Sequence, residues 1–510
     1  LQARAAPGEM ILSRGRTLVV GEDKALLREV ADNLAGKLDC LLLLTGAVAE
    51  GSGSLERVGP HSLICCPQVR IWGSFGSFTA KMPESGEFRD VVELARGKRE
   101  PFDLVLDLTK HGVFTEARPL LGYFWANQED ARQRALNELP RMRGRFEKQH
   151  FISLHPENCA HGHAGKSGCS LCIRSCPYGV LGTGKEAPRV DHLACQGCLA
   201  CASVCPTGAL EPLLPQRGEL LERMEKALPG SGQSEEPPLL LLHREENEPG
   251  PGMESIGKRE VVPVPVEAPG ALGTECLLAA LAMGASGVVV PEEGPAAKVL
   301  DSQVQWARTI LQALGLPPER VQMPAGDSVP EQPPLSRPVA AGGADDFCAR
   351  GKREVLSQAV MWLAGQGGGE REVLEVPEDA PFGGVAVQAE KCTLCMACAG
   401  ACPSGALEPG GEEQPGLRFT ESRCVQCGLC ARICPERALS LWPRLSLKRL
   451  AEDSSVWLHR ESPERCSVCG SPFASSGMLE KVGNKLREQR GEDPHWLRMC
   501  GDCRVRTLFE

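Results

Sequence analysis

Aromatic side chains are scarce in this chain: 13 Phe, 7 Trp and 2 Tyr make up 4% of its 510 residues. Its cores must therefore rest on Leu, Val and Ala. Positive charge is also in deficit, with 56 Lys and Arg against 66 Asp and Glu, a net charge of -10. A binder of nucleic acid or of an anionic membrane needs a basic face, so this balance argues against both. No secretory leader can be read, because residues 1–20 hold Arg4, Arg14 and Arg16 but no apolar core. Residues 1–9 read as an unstructured leader, with Met10 a natural start. The best candidate for a membrane span, Ala271 to Val290, is broken by Glu275 and three glycines. That pattern predicts a short helix followed by a buried strand, and no membrane span.

Hydrophobic residues reach 42%, which excludes a disordered chain. The length fits about three or four domains. The pattern predicts an α/β plus α+β protein in five parts. A degenerate Rossmann-like α/β domain covers 10–145, with strands at 17–20, 40–44, 63–72 and 103–109 and a helix over 21–34. A first cysteine-rich module, with Cys-Pro steps at 176–177 and 205–206 that suit a dicluster fold, occupies 146–215, and a second, with the same step at 402–403 and 434–435, occupies 380–443. Between them, 237–365 is a small α/β domain, with strands at 238–242, 260–266 and 286–290 and helices at 274–283, 296–314 and 347–364. A zinc-ribbon-like tail covers 455–510. Segments 211–237 and 324–346 are rich in Pro, Gly and Glu and read as linkers.

Cysteine is what the chain has in abundance, 25 in all, and clustered. The string Cys195-Gln-Gly-Cys198-Leu-Ala-Cys201-Ala-Ser-Val-Cys205-Pro206 recurs from Cys392 to Pro403 and again from Cys424 to Pro435. A degenerate copy runs Cys169-Ser-Leu-Cys172-Ile-Arg-Ser-Cys176-Pro177. Three cysteines at this spacing wrap a loop around an iron–sulfur cubane, and the fourth, before Pro, reaches the neighbouring cluster. Zinc knuckles use paired Cys-x-x-Cys turns and lack the trailing Cys-Pro. Pairing the copies yields three full sets: Cys195, Cys198, Cys201 and Cys176; Cys392, Cys395, Cys398 and Cys434; Cys424, Cys427, Cys430 and Cys402. The remaining set, Cys169, Cys172 and Cys205, is one ligand short, with Lys166 where a cysteine is expected. Cys159 can complete it if 160–168 loops out. The alternatives are a ligand from His161 or His163, a three-iron cluster, or no cluster. Such a loop predicts the most exposed and oxygen-labile of four 4Fe-4S clusters, and so the port where a partner docks. Fully thiolate-ligated iron is closed to substrate, so the clusters imply electron transfer without implying catalysis.

In the tail, Cys466-Ser-Val-Cys469 and Cys500-Gly-Asp-Cys503 form two knuckles that fit one structural zinc, with rubredoxin-like iron or a fifth cluster as alternatives. Cys40, Cys65, Cys66, Cys276 and Cys348 are left over. Cys40 and Cys276 read as core thiols, and Cys65 and Cys66, adjacent on a strand, must face opposite sides and stay inert. The basic stretch from Arg132 to Lys148 reads as a solvated helix and linker, or a docking face for an acidic partner.

The Cys-Pro runs resemble the bacterial two-cluster ferredoxin family. Gln68-Val-Arg-Ile-Trp-Gly73-Ser-Phe-Gly76 resembles a segment of the flavin subunit of heterodisulfide reductases. The turn after the first strand, however, reads Gly21-Glu22-Asp23-Lys24, without the glycines a pyrophosphate needs and with two repelling carboxylates, which argues against FAD or NAD. Residues 237–325 resemble the small iron–sulfur subunit of hydrogenases through Met283 to Val290 and Leu314 to Val321, but Pro291-Glu-Glu-Gly-Pro stands where that family has cysteines. The whole chain is similar to polyferredoxin-type proteins of proteobacteria associated with formate dehydrogenases. That resemblance implies a cytoplasmic electron-transfer subunit whose partners are redox proteins such as a dehydrogenase. An iron–sulfur maturation factor and a heterodisulfide-reductase-like flavoprotein are the other readings.

Overall fold

In the computed structural model, the described residues are 7–46, 55–84, 87–96, 100–113, 121–228, 237–244, 255–256, 259–291, 294–324, 347–367, 373–378, 380–491 and 495–509. The predicted linker at 324–346 lies almost wholly outside them. The chain divides into two compact units: Leu1–Phe151 with Pro177–Val180 and Val190–Gly197, and the rest.

The first unit is built on a six-stranded sheet, in the order Tyr123–Trp125, Leu104–Asp107, Arg16–Gly21, Asp39–Leu44, His61–Cys65, Leu55–Val58. The first five are parallel, and Leu55–Val58 adds antiparallel at the edge. The apolar runs leave no solvent face, as a parallel sheet covered on both sides requires. Helix Lys24–Leu34 starts where Asp23 caps it, accepting from the Ala25 and Leu26 amides. Its stripe of Leu27, Val30, Ala31 and Leu34 covers one sheet face beside Val19, Leu42 and Leu106. Leu18, Val20, Leu41 and Leu43 turn to the other face and meet Phe78, Met82 and Phe102. Cys65 lies in the first of these cores and Cys66 in the second, the opposite faces that alternation requires. Burial pushes the Cys66 thiol up to about 11, which disfavours the thiolate.

Two expectations fail here for one reason. The Arg132 to Lys148 stretch does not end as a solvated linker, and the leader is not unstructured to residue 9. Strand Gly144–Gln149 pairs antiparallel with Gly8–Ser13 along its whole length. Gly144–Gln149 has Phe146 as its one apolar side chain and looks like loop until its distant partner is known.

In the second unit, a five-stranded sheet runs Ser255–Ile256, Arg259–Val266, Leu239–Arg244, Gly287–Val289, Val321–Gln322, parallel except for the first pair. Helices Thr274–Ala282, Ala297–Ala313 and Lys352–Ala364 stand where the hydrophobic pattern placed them, and Leu278, Leu281, Val304, Ile310 and Val360 join in one core. The predicted linker 211–237 instead contains helix Arg217–Lys226, whose Leu220, Leu221 and Met224 enter that core. Arg320 is buried and donates to the Ala285 carbonyl (2.8 Å) and the Ser286 carbonyl (2.9 Å). It thereby joins the two segments on which the hydrogenase-subunit resemblance rests. The Ala271 to Val290 stretch forms helix Thr274–Ala282 and the buried strand Gly287–Val289. Among the described residues, no helix is long and apolar enough to cross a membrane.

Candidate metal centres

Each cysteine loop folds around a point because its spacers adopt left-handed backbone. Leu199, Leu394, Met396 and Gln426 have φ of 59°, 52°, 60° and 52°, a conformation that costs a non-glycine residue energy and is seen where surroundings impose it. The third cysteine of each regular run opens a short helix: Ala200–Val204, Ala397–Gly400 and Leu429–Ile433. After the Cys-Pro step the chain turns back and aims amides at sulfur: Leu210 N–H to Cys205 Sγ at 3.4 Å, and Ala438 N–H to Cys434 Sγ at 3.3 Å. None of these cysteines is in a disulfide.

The irregular set gathers through a hairpin. Strands Gly162–His163 and Lys166–Ser167 pair across Ala164 and Gly165, both with positive φ. Below the pair, Gly168 N–H donates to the His161 carbonyl (2.6 Å) and Cys169 N–H to the Ala160 carbonyl (2.7 Å). That ladder brings Cys159 beside Cys169. Burial is the main force on all three following thiols. It pushes Cys159 up, Cys169 up to about 11 and Cys172 up to about 12, with Cys205 and one another adding repulsion. His161 Nδ1 faces the Cys169 carbonyl at 2.9 Å, so one ring nitrogen is committed to backbone, and His163 is exposed.

The same crowding ties the second module together. Burial, then repulsion from Cys392 and Cys395, pushes Cys398 up to about 12. Burial, then Cys424, Cys427 and Cys402, does the same to Cys430, which also feels Cys398. Four mutually repelling thiols gathered at one point fit an iron–sulfur cluster, since only a bound cation offsets the charge of their thiolates. The modules also meet: Cys169 feels the charge of Cys427. Around that contact, Arg432 donates to the Ser167 carbonyl, and a Cβ at Gly168 would lie 2.9 Å from Leu429. The three sets therefore lie in a row, with Cys424, Cys427, Cys430 and Cys402 in the middle.

This arrangement corrects the exposure expected of the irregular set. Cys172 and Cys205 are buried, Cys159 and Cys169 half-buried, and the second module packs against the hairpin's base. Cys395 is the exposed thiol among the described cluster cysteines. In the set of Cys195, Cys198, Cys201 and Cys176, the first and third are buried and the others half-buried.

Basic side chains unremarkable in sequence hold these loops. Arg353 donates to the carbonyls of Ser422 (2.7 Å), Pro381 (3.1 Å) and Cys424 (2.9 Å). Lys148, lowered by burial, donates to the Leu193 carbonyl and senses Cys195. The only signal in the sequence is a charge at an otherwise half-buried position, which local pattern cannot separate from a solvated face.

In the tail, the Sγ atoms of Cys466, Cys469, Cys500 and Cys503 all lie within 4.8 Å of one another, close enough for one tetrahedral ion. Amides of Cys469 and Cys500 hold the Cys466 thiol down to about 6. The thiol of Cys500 pushes Cys503 up to about 12. Residues 167–209 and 391–438 each match the 4Fe-4S dicluster domain family. No curated protein matches the chain.

Proposed function

We propose that a chain with two 4Fe-4S dicluster domains is an iron–sulfur electron-transfer protein, relaying single electrons between a dehydrogenase and an acceptor. The row of cysteine sets carries this reading. One set abuts the next through Cys398 and Cys430, and the next abuts the third through Cys427 and Cys169. Four 4Fe-4S clusters take the sixteen cysteines in the sets read from the sequence, with Cys159 completing the irregular one. Anaerobic analysis should return about sixteen iron and sixteen sulfide per chain. Eight or fewer would reject the assignment. Reversible reduction and reoxidation by a copurifying dehydrogenase distinguishes a relay from a maturation factor, and the formate enzyme is the first partner to try.

The exposed Cys395 supports electron entry or exit at the set Cys392, Cys395, Cys398 and Cys434. Brief exposure to air should then bleach this cluster before the others, followed by paramagnetic resonance. Prior loss of the Cys159 set would move the port back to the hairpin. The parallel order of the N-terminal sheet supports a Rossmann-like reading of 10–145 as a scaffold. The tail cysteines support a zinc-ribbon-like site at 455–510. One zinc per chain is expected, and its absence from metal analysis of the anaerobic protein rejects zinc in favour of iron.

A further inference from the structure

Beside Cys205 lies a cavity of ≈ 470 Å³. Ser203, Cys205, Glu275, Gln303 and Lys352 are on its wall. Lys352, in the first turn of helix Lys352–Ala364, sends its ammonium to the Ala202 carbonyl (2.8 Å) and the Ser203 carbonyl. Those carbonyls belong to the short helix Ala200–Val204, the element that delivers Cys205 to the irregular cysteine set. Glu275, in the first turn of helix Thr274–Ala282, sits behind it, Oε1 to Nζ 3.6 Å. Both side chains are nearly out of water, at 10% and 4% exposure, so neither charge is screened as a surface pair would be. A buried pair is weak evidence of stabilisation, because desolvation offsets the attraction. This one has a second property: its positive end is hydrogen-bonded to the ligand-bearing helix, while its negative end pairs with that ammonium.

We propose that Lys352 and Glu275 are opposed positioning charges that set the reduction potential of the cluster held by Cys159, Cys169, Cys172 and Cys205. The proposal rests on the electron-transfer reading above. Reduction adds one electron, and so one negative charge, to the cluster. A nearby buried ammonium stabilises that reduced form, and a buried carboxylate destabilises it. The lysine, hydrogen-bonded directly to the ligand-bearing helix, dominates, so the pair together favours the reduced state of this one cluster. It thereby fixes where electrons rest along the row.

The test is a potentiometric titration of the anaerobic, fully loaded protein, read by paramagnetic resonance. The relevant signal is the one altered in Cys159→Ala. Lys352→Met should lower its midpoint, and Glu275→Gln should raise it. The Lys352→Met shift should correspond to about a tenfold change in the reduced-to-oxidised ratio, 59 mV for one electron, and the Glu275→Gln shift to a smaller one. The double variant should fall below the parent but above Lys352→Met, and Lys352→Arg should keep the parent midpoint. Shifts of the same sign, or no shift in Glu275→Gln, overturn the proposal, because a purely structural pair has no reason to act with opposite signs. Glu275→Gln preserves shape and decides the matter alone if Lys352→Met does not fold. An iron count of eight or fewer in the parent protein instead overturns the electron-transfer reading itself.

Discussion

Replacing Cys159 with alanine should remove about one iron per chain and convert one cluster into a three-iron form, visible as a new resonance signal in the oxidised protein. The argument is one of reach. Between Cys159 and Cys169 the chain makes a complete hairpin, so ten residues of sequence separation collapse to neighbouring rungs closed by the Cys169 to Ala160 bond of 2.7 Å. His161 has Nδ1 on the Cys169 carbonyl and only its other ring nitrogen to offer, and Lys166 is an exposed hairpin residue whose ammonium cannot ligate. The signals from the sets at 392–434 should be unchanged in the variant. An iron count and resonance spectrum identical to the parent's would show that Cys159 is no ligand. The same result with His161→Ala losing iron would pass the role to the histidine.

Arg353→Leu is the second large effect. The guanidinium alone satisfies three backbone carbonyls, at Ser422, Pro381 and Cys424, and its Cζ lies 4.7 Å from the Phe382 ring centre. Burial lowers its pKa to about 10, still above neutral pH, so the group remains charged and each bond is charge-assisted. Removing it leaves three inward carbonyls without donors, a cost of about 3 kcal/mol or more. Because one of them belongs to Cys424, iron should be lost from the Cys424, Cys427, Cys430 and Cys402 set first. Arg353→Lys should recover little, since a point ammonium cannot span three carbonyls. Chemical unfolding followed by circular dichroism, with iron analysis in parallel, measures both. A variant as stable as the parent with its full iron would show that other donors replace the guanidinium.

What could be read in advance was whatever the chain repeats locally. The cysteine spacing names its own ligand loops, and the apolar runs at Thr17 to Val20 and Cys40 to Leu44 place two adjacent parallel strands. Helix Thr274–Ala282 followed by strand Gly287–Val289 follows from a stretch too interrupted to span a membrane. What escaped depends on partners far along the chain. Strand Gly144–Gln149 is recognisable only through Gly8–Ser13, more than a hundred residues away. Helix Arg217–Lys226 was hidden by the proline, glycine and glutamate around it, although its own Leu220, Leu221 and Met224 have helical spacing. The burial of the irregular set was misjudged because a glycine-rich hairpin looks free to move. Gly168 is there instead because a Cβ would lie 2.3 Å from the Ala160 backbone carbonyl, with the Leu429 side chain next at 2.9 Å.

Strand Arg259–Val266 carries Pro263 and Pro265, both exposed, and its only described outer neighbour is the two-residue strand Ser255–Ile256. Proline is compatible with a sheet where its missing N–H has no ladder partner, which puts both missing donors on the outer rim. Alternate residues turn their amides to the same side, so two successive docking points for an incoming strand are absent. The rim therefore cannot template another chain, a safeguard against aggregation at the border of a sheet rich in valine and leucine.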